Sequence, residues 1–248
     1  MPRDRPLEGS LAVVSGALGR LGPHWVEALQ EAGAKVVGLD LRGGPGVIAC
    51  DVRERDSLEA ALRETGTPQV LVNNAGIDQP PDGEARRYRI EDVPRELFAA
   101  TLDVNLVGTF QAIQVFGSAM RDAGGGSIVN IGSLYASVAP DPGLYSHMPG
   151  DPPFLKPPAY GASKAGVLSL TRYFARLWGS AGVRTNSLSP GGVRGDQDEE
   201  FVRRYCSRVP MRRMAEPDDL KEPLVFLASE RSRYVNGIEL RVDGGLTS

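Results

Sequence analysis

Cysteine and histidine are scarce in this chain: Cys50 and Cys206 are the only thiols and His24 and His147 the only imidazoles among 248 residues. Two cysteines cannot form a disulfide framework, and neither stands at a metal-ligand spacing from a second donor. Both read as buried or inert thiols. With the two histidines far apart, no His/Cys metal centre is expected, although a carboxylate-only magnesium site stays open. Long apolar runs are missing too. No stretch reaches about 18 apolar residues, and the first ten residues carry charge without an apolar segment, so neither a membrane span nor a secretory signal is expected and the expected compartment is the cytoplasm. An excess of positive charge is also lacking: 28 Lys and Arg stand against 31 Asp and Glu, a net charge of −3. That balance gives no general footprint for nucleic acid or an anionic membrane, and a small uncharged or anionic organic substrate fits better.

What is present is an ordinary globular composition, 41% hydrophobic and 24% charged, in a length that suits one large α/β core. Leu11-Ala-Val-Val14 is a short apolar run, followed by Ser15-Gly16-Ala17-Leu18-Gly19-Arg20-Leu21-Gly22 and a helical pattern through Trp25, Val26, Leu29 and Ala32. Strand, glycine turn and helix is the order of a phosphate cradle: glycines let the backbone approach a diphosphate, and the helix N-terminus offers free N–H groups. The spacing is Gly-x-x-Gly-x-x-Gly, and a merely structural turn is the competing reading. A second strand, Lys35 to Leu39, ends at Asp40, where a carboxylate meets ribose hydroxyls and repels a 2′-phosphate. Arg20 and Arg42 complicate that preference, since either could reach a phosphate.

Further strands are expected at Val47 to Cys50, ending at Asp51-Val52; at Val70 to Val72, ending at Asn73-Asn74-Ala75-Gly76; and at Ser127 to Ile131, ending at Gly132-Ser133. Small residues at a strand end admit a flat ring, and an asparagine amide can tie neighbouring strands together. The polar segment from Gln79 to Arg89 reads as a surface loop. Asn105 and Gly108 are poor helix formers inside an apolar helical stretch that begins near Pro94, and an inward Asn105 can disturb that helix and hold a water. Seven prolines between Ser137 and Pro158 exclude a regular element there and leave a long loop. Tyr160 and Lys164 follow at a four-residue offset, which on a helix puts phenol and ammonium on one face, with the cation favouring the phenolate. Val183 to Leu188 and Ile238 to Val242 complete seven strands. Between them, 194–213 is highly charged and helical from about Asp198, a mobile flap over a cleft; a further helix follows through Leu224 and Leu227. Strands alternating with helices predict an α/β, Rossmann-type, doubly wound parallel seven-stranded sheet in a single domain.

Taken together these residues resemble the single-domain branch of the short-chain dehydrogenase/reductase superfamily. The similarity runs nearly end to end: the Ser15–Gly22 turn, Asp40, Asp51-Val52, Asn73–Gly76, Asn105, Ser133, Tyr160 to Lys164, Asn186 with Pro190-Gly191, and Val242 to Gly245. The resemblance implies an NAD(H)-dependent oxidoreductase interconverting a secondary alcohol and a ketone. It implies that Ser133, Tyr160, Lys164 and Asn105 are catalytic: Tyr160 as general acid/base, Ser133 bonding the substrate oxygen, Lys164 lowering the tyrosine pKa and holding the nicotinamide ribose, Asn105 positioning a relay water. Cofactor contacts carried over are Ser15, Gly16, Gly19, Arg20, Leu21, Gly22, Asp40, Leu41, Asp51, Val52, Asn74, Ala75, Gly76, Tyr160, Lys164, Pro190, Gly191 and Val193. NAD is expected over NADP, and a homo-oligomer, tetramer or dimer, on resemblance alone.

Three departures from the pattern stand out. Arg20 occupies a place commonly held by glycine; Ser133 and Tyr160 are 27 residues apart (160 − 133), with the Pro-rich insertion at about 137–158 making up the excess; and Gly195 stands near a place where many relatives carry a threonine. With the flap at about 194–215, the insertion resembles a subgroup associated with bacterial surface-sugar pathways, which implies a sugar, polyol or cyclitol substrate. Tyr145, His147 and Lys156 of the insertion are then candidate hydrogen-bonding partners, against a reading as solvated loop side chains. A sugar dehydratase or epimerase using transient oxidation, and a non-catalytic NAD(P)-binding regulator, are the alternatives.

Overall fold

The computed structural model describes residues 5–78 and 87–248; most of the polar stretch expected as a surface loop after Gly76, namely 79–86, therefore lies outside the described residues. Seven strands form one sheet: β1 (Leu11–Ser15), β2 (Lys35–Asp40), β3 (Val47–Ala49), β4 (Val70–Asn73), β5 (Gly126–Ile131), β6 (Val183–Pro190) and β7 (Glu239–Val242). Their order is β3-β2-β1-β4-β5-β6-β7, with every neighbouring pair parallel. The chain winds outward from β1 in one direction and from β4 in the other, so the sheet has its switch point between these two strands. Ligands of open parallel sheets collect at the carboxyl ends there.

Strand alternation sends each strand's side chains into two separate cores. On one face Ala12, Val14, Val70, Val72, Val129 and Ile131 pack with Trp25 and Leu29 of α1 (Gly22–Glu31) and with Leu220 and Leu224. On the other, Val13, Leu71 and Ile128 meet Leu58 of α2 (Arg55–Thr65), Ile113 and Phe116, and Phe174 and Trp178. Burial on both faces is why these strands read as continuous apolar runs in the sequence.

The second face carries a helical rod over 95–122, built from α3 (Arg95–Leu102), α4 (Gly108–Ala112) and α5 (Ser118–Asp122), joined by π-helical turns at Asp103–Val107 and Ile113–Gly117. Beside it lies α6 (Pro158–Trp178). Its start is set by Pro157, extended at φ −55° and ψ 126°, followed by Pro158 in the first turn, where proline's fixed φ suits a helix and its missing N–H costs nothing. The flap carries α7 (Glu199–Arg208), capped by the Asp198 carboxylate accepting from the Phe201 N–H, and α8 (Asp218–Ala228) lies with α1 on the first face. No helix among the described residues is long and apolar enough to cross a membrane.

The Pro-rich insertion is more ordered than an irregular loop. It contains a 3-10 turn at Pro142–Leu144, and Leu144 and Tyr145 form a third small core with Tyr205, Val209 and Met214 of the flap region. Polar ties reinforce it: Arg208 pairs with Asp141 at 2.8 Å, Arg204 donates to the Gly143 carbonyl at 2.7 Å, and His147 meets Asp198 at 2.8 Å. Proline excludes long regular elements, but it does not stop a loop from acquiring apolar packing.

Candidate active site

A cleft of about 710 Å³ opens at the carboxyl ends of the strands, from Gly16, Asp40 and Asp51 at one end to Tyr145, Lys156 and Phe201 at the other. Gly16 has φ +65°, and a Cβ there would stand 2.8 Å from the Ala75 Cα, so only glycine lets the turn lie against the strand-end segment. Asn74 fixes that approach. Its amide donates to the Ser15 and Gly16 carbonyls at 3.1 and 2.9 Å, and its oxygen accepts from the Trp25 indole at 2.8 Å. The Ser15 hydroxyl accepts from the N–H groups of Asn74 and Ala75, both at 3.1 Å. Ser15 and Gly22 thus hold the cradle from behind, whereas Gly16, Gly19, Arg20, Leu21, Asn74, Ala75 and Gly76 line it.

α1 begins at this cradle with no side-chain cap and no acidic residue in its first turn, leaving N–H groups and a positive dipole end for an anion. Asp40 accepts from the Leu18 N–H at 3.0 Å, which ties the end of β2 to the glycine turn. Asp51 is paired with Arg53 at 2.6 Å, and that guanidinium holds its carboxyl below the usual range. Leu41, Val52, Pro190, Gly191 and Val193 also line the cleft; Arg42 does not. A turn closed to a Cβ at Gly16 and Gly22, an uncapped helix end and a strand-end carboxylate together suit the diphosphate and ribose of a dinucleotide such as NAD(P).

The two unusual positions, Arg20 and Gly195, turn out to touch. The Arg20 guanidinium donates to the Val193 carbonyl at 2.8 Å, and a Cβ on Gly195 would come within 2.1 Å of its Nη2. A threonine at position 195 would displace that side chain. The sequence shows two separate departures; the fold makes them one arrangement across the mouth of the cleft.

Ser133, two residues beyond β5, and Tyr160, in the first turn of α6, both line the cleft. Lys164, one turn along α6 and buried, donates from Nζ to the Ile131 carbonyl at 2.7 Å and sits 5.8 Å from the centre of the Tyr160 ring. Burial pushes the phenol up to about 12, the polar influence of Ser133 opposing it. Burial pulls the ammonium down to about 8. Burial is thus the largest influence on the phenol, and Lys164 is not among the groups that shift it.

Asn105 is buried behind the cleft wall, in the first π-helical turn. Its amide forms a reciprocal pair with the backbone of Ile77, accepting from the N–H at 2.7 Å and donating to the carbonyl at 2.8 Å, and donates to Ser163 at 3.0 Å. The helix is disturbed where the sequence suggests, and the side chain anchors the segment after Gly76. Asn73 and Asn130 tie β4 to β5 at 2.8 Å, while Asn186 bonds the Val235 carbonyl at 2.9 Å and the Ile238 N–H at 3.2 Å, joining β6 to the approach to β7.

Of the insertion candidates, Tyr145 and Lys156 line the cleft, while His147 is turned to Asp198. Lys156 is ion-paired with Asp78 and lies 5.1 Å from the Tyr160 ring centre and 5.9 Å from that of Tyr135. Sequence reasoning missed Asp78, Tyr135, Gln197, Phe201 and Tyr205, all of which line the cleft. Only Asp78 had a local signal, an acid two residues past Gly76; the aromatics enter through packing between distant segments.

A family model described as enoyl-(acyl carrier protein) reductase matches residues 16–247. D-threitol dehydrogenase of Mycolicibacterium smegmatis is 34% identical, the match covering 98% of this chain and 95% of that protein. Among solved structures, a short chain dehydrogenase from Leptospira borgpetersenii with bound NAD+ superposes with a TM-score of 0.86 at 30% identity, covering 98% of this chain and 94% of that one. A gluconate 5-dehydrogenase from Burkholderia cenocepacia, in complex with NADP and tartrate, superposes with a TM-score of 0.83 at 30% identity, with 98% of both chains covered.

Proposed function

The chain belongs to the short-chain dehydrogenase/reductase superfamily and is an oxidoreductase acting on CH–OH groups, and on that premise we propose that it interconverts a secondary alcohol and a ketone on a sugar, polyol or cyclitol, with NAD(H) preferred over NADP(H). The observation that carries the reading is the convergence of Ser133, Tyr160 and Lys164 on a cleft that continues into the glycine cradle. The polyhydroxylated class is supported by the relatives that act on threitol and gluconate. A binding protein without turnover needs the cradle and Asp40 but has no use for the convergent trio.

Gly16, Gly19 and the first turn of α1 would hold the diphosphate and Asp40 the adenosine ribose. When bound, NAD(P) supplies the hydride carrier. The protein's own part is protonic and electrostatic. Ser133 bonds the substrate oxygen, and Tyr160 gives its phenolic proton in reduction or takes the hydroxyl proton in oxidation. Lys164, with a pKa brought near 8, is able to pass that proton onward, and Asn105 positions the segment after Gly76. The preference for NAD(H) is supported by Asp40 in the cleft, by the absence of Arg42 from its lining, and by the engagement of Arg20 with Val193. The insertion at about 137–158 and the flap at about 194–215 belong, in this reading, to a single domain as its substrate-side elements, in a cytoplasmic homo-oligomer.

Tyr160→Phe tests the assignment. Loss of the proton donor should lower kcat by about 10²–10⁴-fold while NADH affinity is kept. Turnover equal to wild type would sink it.

A further inference from the structure

Resting on the dehydrogenase reading, we propose that the Asp78–Lys156 ion pair is the substrate-recognition element of this cleft, and that it selects a neutral polyol or aldose with a vicinal diol over a sugar acid. Asp78 comes from the segment after β4 and Lys156 from the Pro-rich insertion, and their pairing spans the cleft beside Tyr160. One Asp78 oxygen is bonded to Lys156; the other, Oδ1, is buried and has no hydrogen-bond partner. An orphaned carboxylate oxygen inside a cleft is costly unless something donates to it. Hydroxyls do so. An ammonium has three donors, of which Asp78 takes one, so Lys156 can also donate to the same or the neighbouring hydroxyl oxygen. A diol next to the reacting carbon satisfies both groups without separating them.

A carboxylate substrate fits poorly, and the cation inventory shows why. The cations lining the cleft among the described residues are Arg20, Arg53, Lys156 and Lys164. Each is engaged: Arg20 with the Val193 carbonyl, Arg53 with Asp51, Lys156 with Asp78, Lys164 with the Ile131 carbonyl. Arg20 and Arg53 line the cradle end. To bind a sugar acid beside Tyr160, Lys156 would have to be shared between Asp78 and the substrate, placing two carboxylates side by side with one cation between them. The far wall agrees with a neutral ligand. Tyr145 and Phe201, 5.5 Å apart between ring centres, give the C–H face of a sugar an apolar surface.

The test compares tetritols to hexitols with aldonates of equal chain length and with cyclohexanol, which lacks a vicinal hydroxyl, using the full chain with NAD+ and NADP+. The expected result is a kcat/KM for alditols about tenfold or more above that for aldonates. Asp78→Asn should raise the alditol KM about tenfold with a smaller change in kcat, and so collapse the alditol-to-cyclohexanol ratio. Aldonates turned over as well as alditols, or an unchanged ratio in Asp78→Asn, overturns the proposal. Should Asp78→Asn fail to fold, as judged by melting and NADH affinity, Lys156→Gln decides: aldonate turnover should fall further, and a rise overturns the proposal. If no alcohol, cyclohexanol included, yields reduced coenzyme, the dehydrogenase reading fails by itself. Calorimetry on the NADH complex then judges the site: alditol binding weakened by Asp78→Asn sustains it, and absent or unaffected binding overturns it.

Discussion

Tyr160 and Lys164 are one helical turn apart, and burial drives their proton equilibria apart, the phenol up to about 12 and the ammonium down to about 8. The lysine shift has a thermodynamic signature. Its folded pKa lies below the ordinary 10.5, so between about pH 8 and 10.5 the unfolded chain holds more protons and the lysine's contribution to stability rises with pH. Urea unfolding of wild type against Lys164→Met should show the wild-type difference growing by on the order of 2 kcal/mol from pH 8 to 10; a flat difference would show that desolvation does not govern this residue. Asp40 makes a second residue-scale prediction. Asp40→Ala removes the anion that repels a 2′-phosphate, so the ratio of kcat/KM with NAD(H) to that with NADP(H) should fall about tenfold, and an unchanged ratio contradicts the coenzyme preference. Both residues were legible as candidates, because their meaning lies in a helical offset and a strand end. The Arg20–Gly195 contact was not, since positions 175 apart in sequence (195 − 20) meet only after the chain has folded.

At the scale of elements, the rod over 95–122 and the insertion show where local pattern suffices and where it does not. Asn105 and Gly108 flagged a helix under strain, and a π-helical turn is present at Asp103–Val107. Nothing local indicated that the Asn105 amide would close on the backbone of Ile77, which belongs to the end of another strand. The insertion had the composition of an irregular loop, yet Leu144, buried to 4% exposure, roots it in the flap beside Tyr205 and Val209. Leu144→Ala should cost about 2–4 kcal/mol of local stability. Hydrogen exchange should then report faster opening of 137–158 and of α7 together, with amides of β1, β4 and β5 unchanged. Independent opening of the two segments would mean that insertion and flap are separate elements.

For the whole molecule, Val107 and Phe110 on the rod and Tyr173 and Leu177 on α6 leave large apolar side chains exposed, Tyr173 by 61%. Their spacings, three and four residues, put each pair on one helix face. The proposed homo-oligomer would cover this surface: sedimentation should give a multiple of the 26.5 kDa chain mass, and Tyr173→Asp should shift it toward a single chain. A wild-type monomer would contradict the proposal. The sequence by itself determined the alternation of strands and helices, the glycine cradle, the strand-end acids and the Tyr160–Lys164 offset, because each is a property of residues close together in the chain and of periodicities that backbone geometry imposes. Only the tertiary structure decided that burial dominates the Tyr160 pKa, that Arg20 fills the space Gly195 leaves, and that Lys156 meets Asp78 over the cleft. Desolvation, steric fit and ion pairing depend on which distant segments become neighbours.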